Sequence, residues 1–284
     1  MAAEDQSPYE ERFARNAGIV LDQDTLRSAT VAIAGCGRAG AAAGTALARM
    51  GVGAFRLADP DKITTPNISG MLTATTSRLG SNKAAALAAD IFEINPEARV
   101  SVVEDGISQA NVSAFLAGAS IALDAIDFYR ADVSVLLHRA SREAGLVVLV
   151  GVPVAWNAFL FKFEPHGTTF ERFVGQGDAG TSKGQPLEAP VAAFCPEVPG
   201  YIDSRVLLSV VKREIPIPSV APGVFLVGAM LAAATYFELS GCKQLQAVPS
   251  YYGAEDLLVK SAKRRSLSSR ALQWGVSVLQ RMRS

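Results

Sequence analysis

Six residues near the start of the chain have the composition of an anion-binding turn. Gly35-Cys36-Gly37-Arg38-Ala39-Gly40 is a complete G-x-G-x-x-G. The apolar run Val31-Ala32-Ile33-Ala34 precedes it, and an alanine-rich stretch to Met50 follows. In this order Gly35 permits the tight turn, Gly37 lets a phosphate approach the backbone, and Gly40 allows helix and strand to pack closely. The first turn of the following helix offers unpaired N–H groups to an anion. A second apolar run, Ala54 to Ala58, ends at Asp59, about twenty residues past the glycines, where a carboxylate can accept hydrogen bonds from a ribose. Strand, glycine loop, helix, strand and acid together predict a nucleotide site. The competing reading is a glycine turn that only joins packed elements.

The elements that must position these residues follow from hydrophobic period. Beyond Asp59, residues 60–80 are rich in Thr, Ser, Pro and Gly and read as a long irregular loop. It lies beyond the carboxyl end of the second strand, where open α/β sheets place their ligand contacts. Lys83 begins a helix to Ile94, closed by Asn95-Pro96. A third strand is predicted over 99–104, a short helix over 109–117, and a fourth strand at Ile121-Ala122-Leu123, ending in Asp124-Ala125-Ile126-Asp127. A helix over 130–144 and a fifth strand over 146–150 complete the alternation. Strands alternating with helices imply an α/β fold, Rossmann-like, with a doubly wound, mainly parallel sheet. The pattern then changes to an antiparallel strand over 155–163 and a Gly- and Pro-rich segment over 164–203. A helix over 204–214, an apolar helix over 224–239, a strand near 246–252 and a charged helix over 266–282 follow. The predicted organisation is an N-terminal arm with one helix (1–28), a nucleotide-binding domain (29–252) and a C-terminal helical extension (253–284).

Bulk composition narrows the function classes. The chain has 284 residues, 49% hydrophobic, with 27 basic against 27 acidic side chains. That formal neutrality gives no global pull toward nucleic acid or an anionic membrane, so neither is an expected partner. The run Lys260-Ser261-Ala262-Lys263-Arg264-Arg265 reads as a solvated helix face or tail. The three cysteines, Cys36, Cys195 and Cys242, are widely spaced and form no C-x-x-C, which fits a reducing cytoplasm and gives no zinc knot. Residues 220–237 carry no charge. At the short end of a membrane span, they read as a buried helix.

Taken in order, these features resemble the ThiF/MoeB superfamily, relatives of the ubiquitin-activating enzymes. Arg12-Phe13-Ala14-Arg15-Asn16 is similar to the family's R-Y-S-R-[NQ] arm, and Leu57-Ala58-Asp59-Pro60-Asp61 to its L-x-D-x-D. Asn67 stands at the asparagine of S-N-L-x-R-Q. Leu79-Gly80-Ser81-Asn82-Lys83-Ala84 resembles [VI]-G-x-x-K-A, Ile94-Asn95-Pro96 matches I-N-P, and Leu123 to Asp127 corresponds to L-D-x-T-D. Pro222-Gly223-Val224 sits where the family begins its late helix. The resemblance implies an E1-like fold and ATP-dependent adenylation of a carboxylate, with release of pyrophosphate. The carboxylate would be the C-terminal glycine of a ubiquitin-like or sulfur-carrier protein, or a peptide, held by a cytoplasmic homodimer. It further implies that the amides of Gly35, Gly37 and Gly40 hold ATP phosphates and that Asp59 takes the ribose. Asn67 joins the nucleotide contacts, Lys83 neutralises phosphate charge, Asp127 holds Mg²⁺, and Arg15 reaches the γ-phosphate across a dimer interface. The segment 164–203 would drape over the partner's tail. The competing readings are a first-turn surface lysine for Lys83, a helix N-cap for Asp127 and a surface charge for Arg15.

The departures from the family pattern are as informative. Gly70 stands where an arginine that stabilises the transferring phosphates is expected; Arg78 and Arg38 are the nearby cations. Phe128 replaces the usual asparagine after Asp127. The paired C-x-x-C motifs are absent, so zinc is not expected. Cys195 lies in the loop region where some members carry a nucleophilic cysteine, and a buried or incidental thiol is the favoured reading. His138 and His166 read as isolated. The leading expectation is therefore an adenylyltransferase. A non-catalytic E1-like scaffold is the alternative that Gly70 supports. A nicotinamide-dependent oxidoreductase, permitted by the glycine loop and Asp59, is disfavoured because Lys83 and the Asp124/Asp127 pair have no role in hydride transfer.

Overall fold

The computed structural model describes residues 7–175, 191–196, 199–212, 214–255 and 258–263. Two short helices, Pro8–Phe13 (α1) and Gln23–Ser28 (α2), form the arm, where one helix was expected. Each has its own start signal: Ser7 caps α1 in a capping box with Glu10, and Asp22 caps α2 through the Asp24 and Thr25 amides. The alternating unit follows as Thr30–Ala34 (β1), Arg38–Met50 (α3), Ala54–Ala58 (β2), Lys83–Ile94 (α4) and Arg99–Val103 (β3). Val112–Leu116 (α5), Ile121–Asp124 (β4), Ala131–Glu143 (α6) and Val148–Val154 (β5) continue it. Asn157–Phe163 (β6) returns antiparallel. Phe170–Phe173 (α7), Val191–Phe194 (α8) and Ser204–Val211 (α9) then lead to Ala221–Ser240 (α10), Ser250–Glu255 (β7) and Leu258–Lys263 (β8).

The strands form one eight-stranded sheet in the order β3-β2-β1-β4-β5-β6-β7-β8. Its first five members pair in parallel and its last three antiparallel. The predicted doubly wound sheet with an antiparallel extension is thus present. Period-2 alternation divides β1 between two cores. Val31 and Ile33 pack with α3, α4 and α10, whereas Ala32 and Ala34 face the side of α5 and α6. The sheet also runs past residue 252, where the helical extension was expected to begin. β7 ends at Glu255, and β8 brings Lys260–Lys263 into a strand rather than onto a helix face. The predicted helix over 266–282 and the middle of the 164–203 segment lie outside the described residues.

The helix α10 is long and apolar enough to cross a membrane by composition. Its buried residues, among them Val224, Val227, Leu231 and Ala234, pack into the core beside α3. That is the place expected for it in a folded core.

Candidate nucleotide site

The glycine loop joins β1 to α3 at the carboxyl edge of the sheet. Its first glycine has φ +88°, and a Cβ there would lie 2.3 Å from the Ala125 carbonyl oxygen, so β1 and β4 close on it too tightly for a side chain. A Cβ at Gly40 would lie 1.9 Å from the Gly35 oxygen. Both glycines are therefore required by the protein's own packing. Gly37 is different: a Cβ there would meet nothing within 4 Å. No side chain caps the helix that starts after it, although such termini normally recruit a partner for their amides. α5, α6 and α10 also start without a side-chain cap, whereas Asn82 caps α4 through the amides of Ala84 and Ala85.

Asp59, at the end of β2, is 5% exposed. Its carboxylate accepts from the Cys36 amide at 2.7 Å and the Asp61 amide at 2.9 Å, which ties the glycine loop to the loop after β2. Burial pushes its pKa up, against the lowering pull of the Asp61 amide, Lys83 and the Cys36 amide. Lys83 is the first residue of α4, and its ammonium lies 2.8 Å from Asp61 with only 14% of its side chain exposed. It is therefore no free surface lysine. The Asp61 side chain is 66% exposed, so this ion pair is weakly held and its lysine can be shared with an anion.

Asn67 sits in a short 3-10 turn, Thr65–Ser69, and its carboxamide oxygen accepts from the Thr64 amide at 2.8 Å and hydroxyl at 3.1 Å. The oxygen is thus engaged, and the NH₂ is the end of the group that can donate elsewhere. Asp127 is exposed just beyond β4. Its carboxylate caps the turn Phe128–Arg130 through the Tyr129 amide at 3.0 Å, so the N-cap reading holds for that turn. The remaining carboxylate capacity faces solvent. Among the described residues no group of three or more His, Cys, Asp or Glu could form a metal cage. A single carboxylate suits Mg²⁺, which keeps several waters and is bound largely through substrate phosphates.

Arg15 is not brought to this site within one chain. It lies exposed in the turn Ala14–Asn16, next to contacts made at the other end of α3. The Tyr9 hydroxyl donates to the Gly51 carbonyl at 2.6 Å, and the Asn16 and Gln23 amides donate to the Met50 carbonyl at 3.1 and 2.8 Å. At 1.5 Å per residue, α3 separates these contacts from the glycine loop by about 20 Å. Arg12 donates to Asn95 at 3.3 Å, and Asn95 in turn to the Val52 carbonyl at 3.2 Å. The arm and the I-N-P turn thus hold each other in place.

Two expectations need correcting. His138 is not isolated: buried at 2% exposure, its Nε2 lies 3.1 Å from Asp124. Asp124 therefore points into the α6 side of the sheet and does not converge with Asp127. Residues that sequence reasoning underweighted also converge here. Arg38, the first residue of α3, reaches across to Ser219 and Ser69 and lies against Gly70. The only signal was the coincidence of an arginine inside the glycine loop with a missing one thirty-odd residues on. As for thiols, burial first and then the Asp59 charge push the Cys36 thiol well up. Cys195 is buried at 5% exposure, as expected of an incidental cysteine.

Comparison with known proteins converges on one family. The model of the ThiF family matches residues 11–272. The tRNA threonylcarbamoyladenosine dehydratase of Escherichia coli (strain K12) is 35% identical over 124 residues, which is 43% of this chain and 46% of that protein. The SAMP-activating enzyme E1 of Haloferax volcanii is 29% identical over 165 residues, 56% of this chain and 57% of that protein. The matches thus span about half the length of these curated relatives. Among solved structures, E. coli MccB with ATP superposes with a TM-score of 0.65 at 20% identity, covering 94% of this chain and 73% of that one. MccB with MccA-N7isoASN gives 0.66 at 21%, covering 93% and 74%. At such identities the likeness is one of fold.

Proposed function

This chain belongs to the ThiF family, and on that premise we propose that it adenylates a carboxylate with ATP and releases pyrophosphate. The observation that carries the reading is Gly37. It is a glycine that the protein's own packing does not require, at a helix end the protein does not cap. Around it stand a ribose-competent acid, Asp59, a lysine held by an exposed partner, Lys83, and an exposed acid, Asp127.

In this reading the amides of the Gly35–Gly40 loop hold the phosphates, Asp59 accepts from the ribose hydroxyls, and Asn67 donates through its NH₂. The substrate carboxylate attacks the α-phosphorus, a new P–O bond forms, and the bond to the β-phosphate breaks. The products are an acyl-adenylate and pyrophosphate. Attack of one anion on another needs positive charge placed in advance. Lys83 supplies part of it, and Arg15 of a second copy supplies more, since its own chain holds it a helix length away. Mg²⁺, held by Asp127, would neutralise charge on the phosphates.

The acceptor favoured here is the C-terminal glycine of a ubiquitin-like or sulfur-carrier protein, or a peptide. The Trp156 amide donates to the Tyr201 hydroxyl at 3.4 Å, and Trp156 lies against Gly223, so exposed Trp156, Tyr201 and Phe225, at 56%, 53% and 48%, stand near the start of α10 and offer aromatic surface for such a chain. A cytoplasmic homodimer accords with this reading. The E. coli relative is named for a modified tRNA nucleoside, so a tRNA-linked carboxylate is the competing acceptor.

The test is pyrophosphate release from Mg-ATP with a Gly-Gly-terminated ubiquitin-like protein, a short peptide or tRNA as acceptor. Lys83→Ala and Asp127→Ala are each expected to slow it about a hundredfold or more. Gly70 favours a second reading, a non-catalytic member. ATP binding without pyrophosphate release from any acceptor would support it. Tight binding of NADH instead of ATP would remove both readings.

A further inference from the structure

We infer that Arg38 is the cation of this site that meets the outer phosphates of the nucleotide, with Ser219 and Ser69 positioning it. The inference rests on the ATP reading above and names a residue within it. Arg38 is the one charged residue of the glycine loop, and it is half-buried. Its Nη1 donates to the Ser219 carbonyl at 2.7 Å and to the Ser219 hydroxyl at 2.6 Å, and its Nη2 donates to the Ser69 hydroxyl at 3.3 Å. Among the described residues no carboxylate lies within ion-pair distance of it. A partly desolvated charge held only by neutral oxygens lacks its counterion. These bonds engage three of the five guanidinium N–H groups and leave the Nε–H and one Nη2–H to donate to an oxyanion.

Gly70 is part of the same arrangement. A Cβ at that position would lie 3.2 Å from the guanidinium carbon and 3.3–3.4 Å from two of its nitrogens. The space above Gly70, where the resemblance expects an arginine to start, is occupied by the arginine of the glycine loop. Arg78 is no rival. Its guanidinium donates to Asp90 and to the Thr73 carbonyl, so its charge is already matched.

The sheet order indicates which phosphates Arg38 meets. Asp59 stands at the end of β2, on one side of β1. Ser219 is bridged to Ala155, just after β5, on the other side. Arg38 spans from Ser69, in the loop after β2, to Ser219, so a nucleotide with its ribose at Asp59 and its phosphates along the glycine loop would bring the outer ones to Arg38.

The experiment is a titration of the full chain with ATP, ADP and AMP in the presence of Mg²⁺. The chains compared are the wild type, Lys83→Ala, Arg38→Ala and Arg38→Gln, the last keeping a hydrogen-bonding group for Ser219 without the charge. Both Arg38 variants are expected to bind ATP about tenfold or more weaker while AMP affinity stays unchanged. The double variant Arg38→Ala/Gly70→Arg is expected to regain the preference for ATP over AMP, which a role in packing alone would not predict. Wild-type affinity for all three nucleotides in a folded Arg38→Gln, with Lys83→Ala weakened, overturns the inference and leaves the ATP reading standing. Equal loss for AMP and ATP also overturns it, since Arg38 would then act on the loop as a whole. A wild type that binds none of the three fails the ATP reading itself.

Discussion

The two ends of helix α3 solve the same problem in opposite ways. At its carbonyl end, Tyr9, Asn16 and Gln23 all donate to Met50 or Gly51, and the arm seals the last turn from within the protein. At its amide end no side chain caps the helix, and the one glycine there without a packing reason faces open space. A helix ordinarily needs partners at both termini. The asymmetry marks one end that the fold finishes with its own residues and one that, on the reading proposed above, a nucleotide would finish.

Four measurements put that contrast to the test. The largest effect is expected at Gly40. Gly40→Ala forces a Cβ toward the Gly35 carbonyl and lowers stability by about 1–3 kcal/mol or more by chemical denaturation, with nucleotide binding lost as a consequence. Gly37→Ala should reverse the pattern. Its stability falls by about 1 kcal/mol or less, the ordinary cost of alanine at a helix N-cap, while ATP affinity by calorimetry drops about tenfold, near 1.4 kcal/mol. An equal stability loss in both variants would erase the distinction between packing glycine and ligand glycine.

At the sealed end, Tyr9→Phe removes the bond donated to the Gly51 carbonyl and the one accepted from Gln23 Nε2 at 3.3 Å, and should cost about 1–2 kcal/mol of stability without moving ATP affinity. A change in nucleotide binding there would mean that the two ends are coupled. The smallest effect concerns pH. The folded pKa of Asp59 is raised from the ordinary 3.8, chiefly by burial. Its favourable contribution is therefore fully present below that value and is lost as pH rises through the raised one. The stability difference between wild type and Asp59→Asn should shrink over that window, and carboxyl NMR should place the Asp59 midpoint above 3.8. A midpoint below it would show that the Cys36 and Asp61 amides outweigh desolvation.

Much of this site was legible in residue order because its logic is local. The glycine loop, Asp59 at a strand end and Lys83 just after a capping asparagine are each defined by a few consecutive residues. What escaped was made by packing across distance. His138 meets Asp124 only once α6 lies on the sheet. Arg38 and Ser219 are 181 residues apart in sequence, and no short motif joins them. β8 was missed because two lysines in six residues weaken its strand alternation and resemble a charged helix or tail. Pairing with β7 along its length supplies what the alternation lacks.

The crossing of α3 and α10 has a mechanical consequence. A Cβ at Gly228 would come within 2.4 Å of the Ala42 Cβ, so the two rods touch almost backbone to backbone. Ser219, the latch of Arg38, lies two residues before α10 begins at Ala221, and Gly228 stands about 10 Å of helical rise beyond that start. A bulkier residue at 228 would pry the rods apart at that fulcrum and swing the latch with them. On the reading proposed above, the grip on a triphosphate would then be retuned from a position that never comes near it.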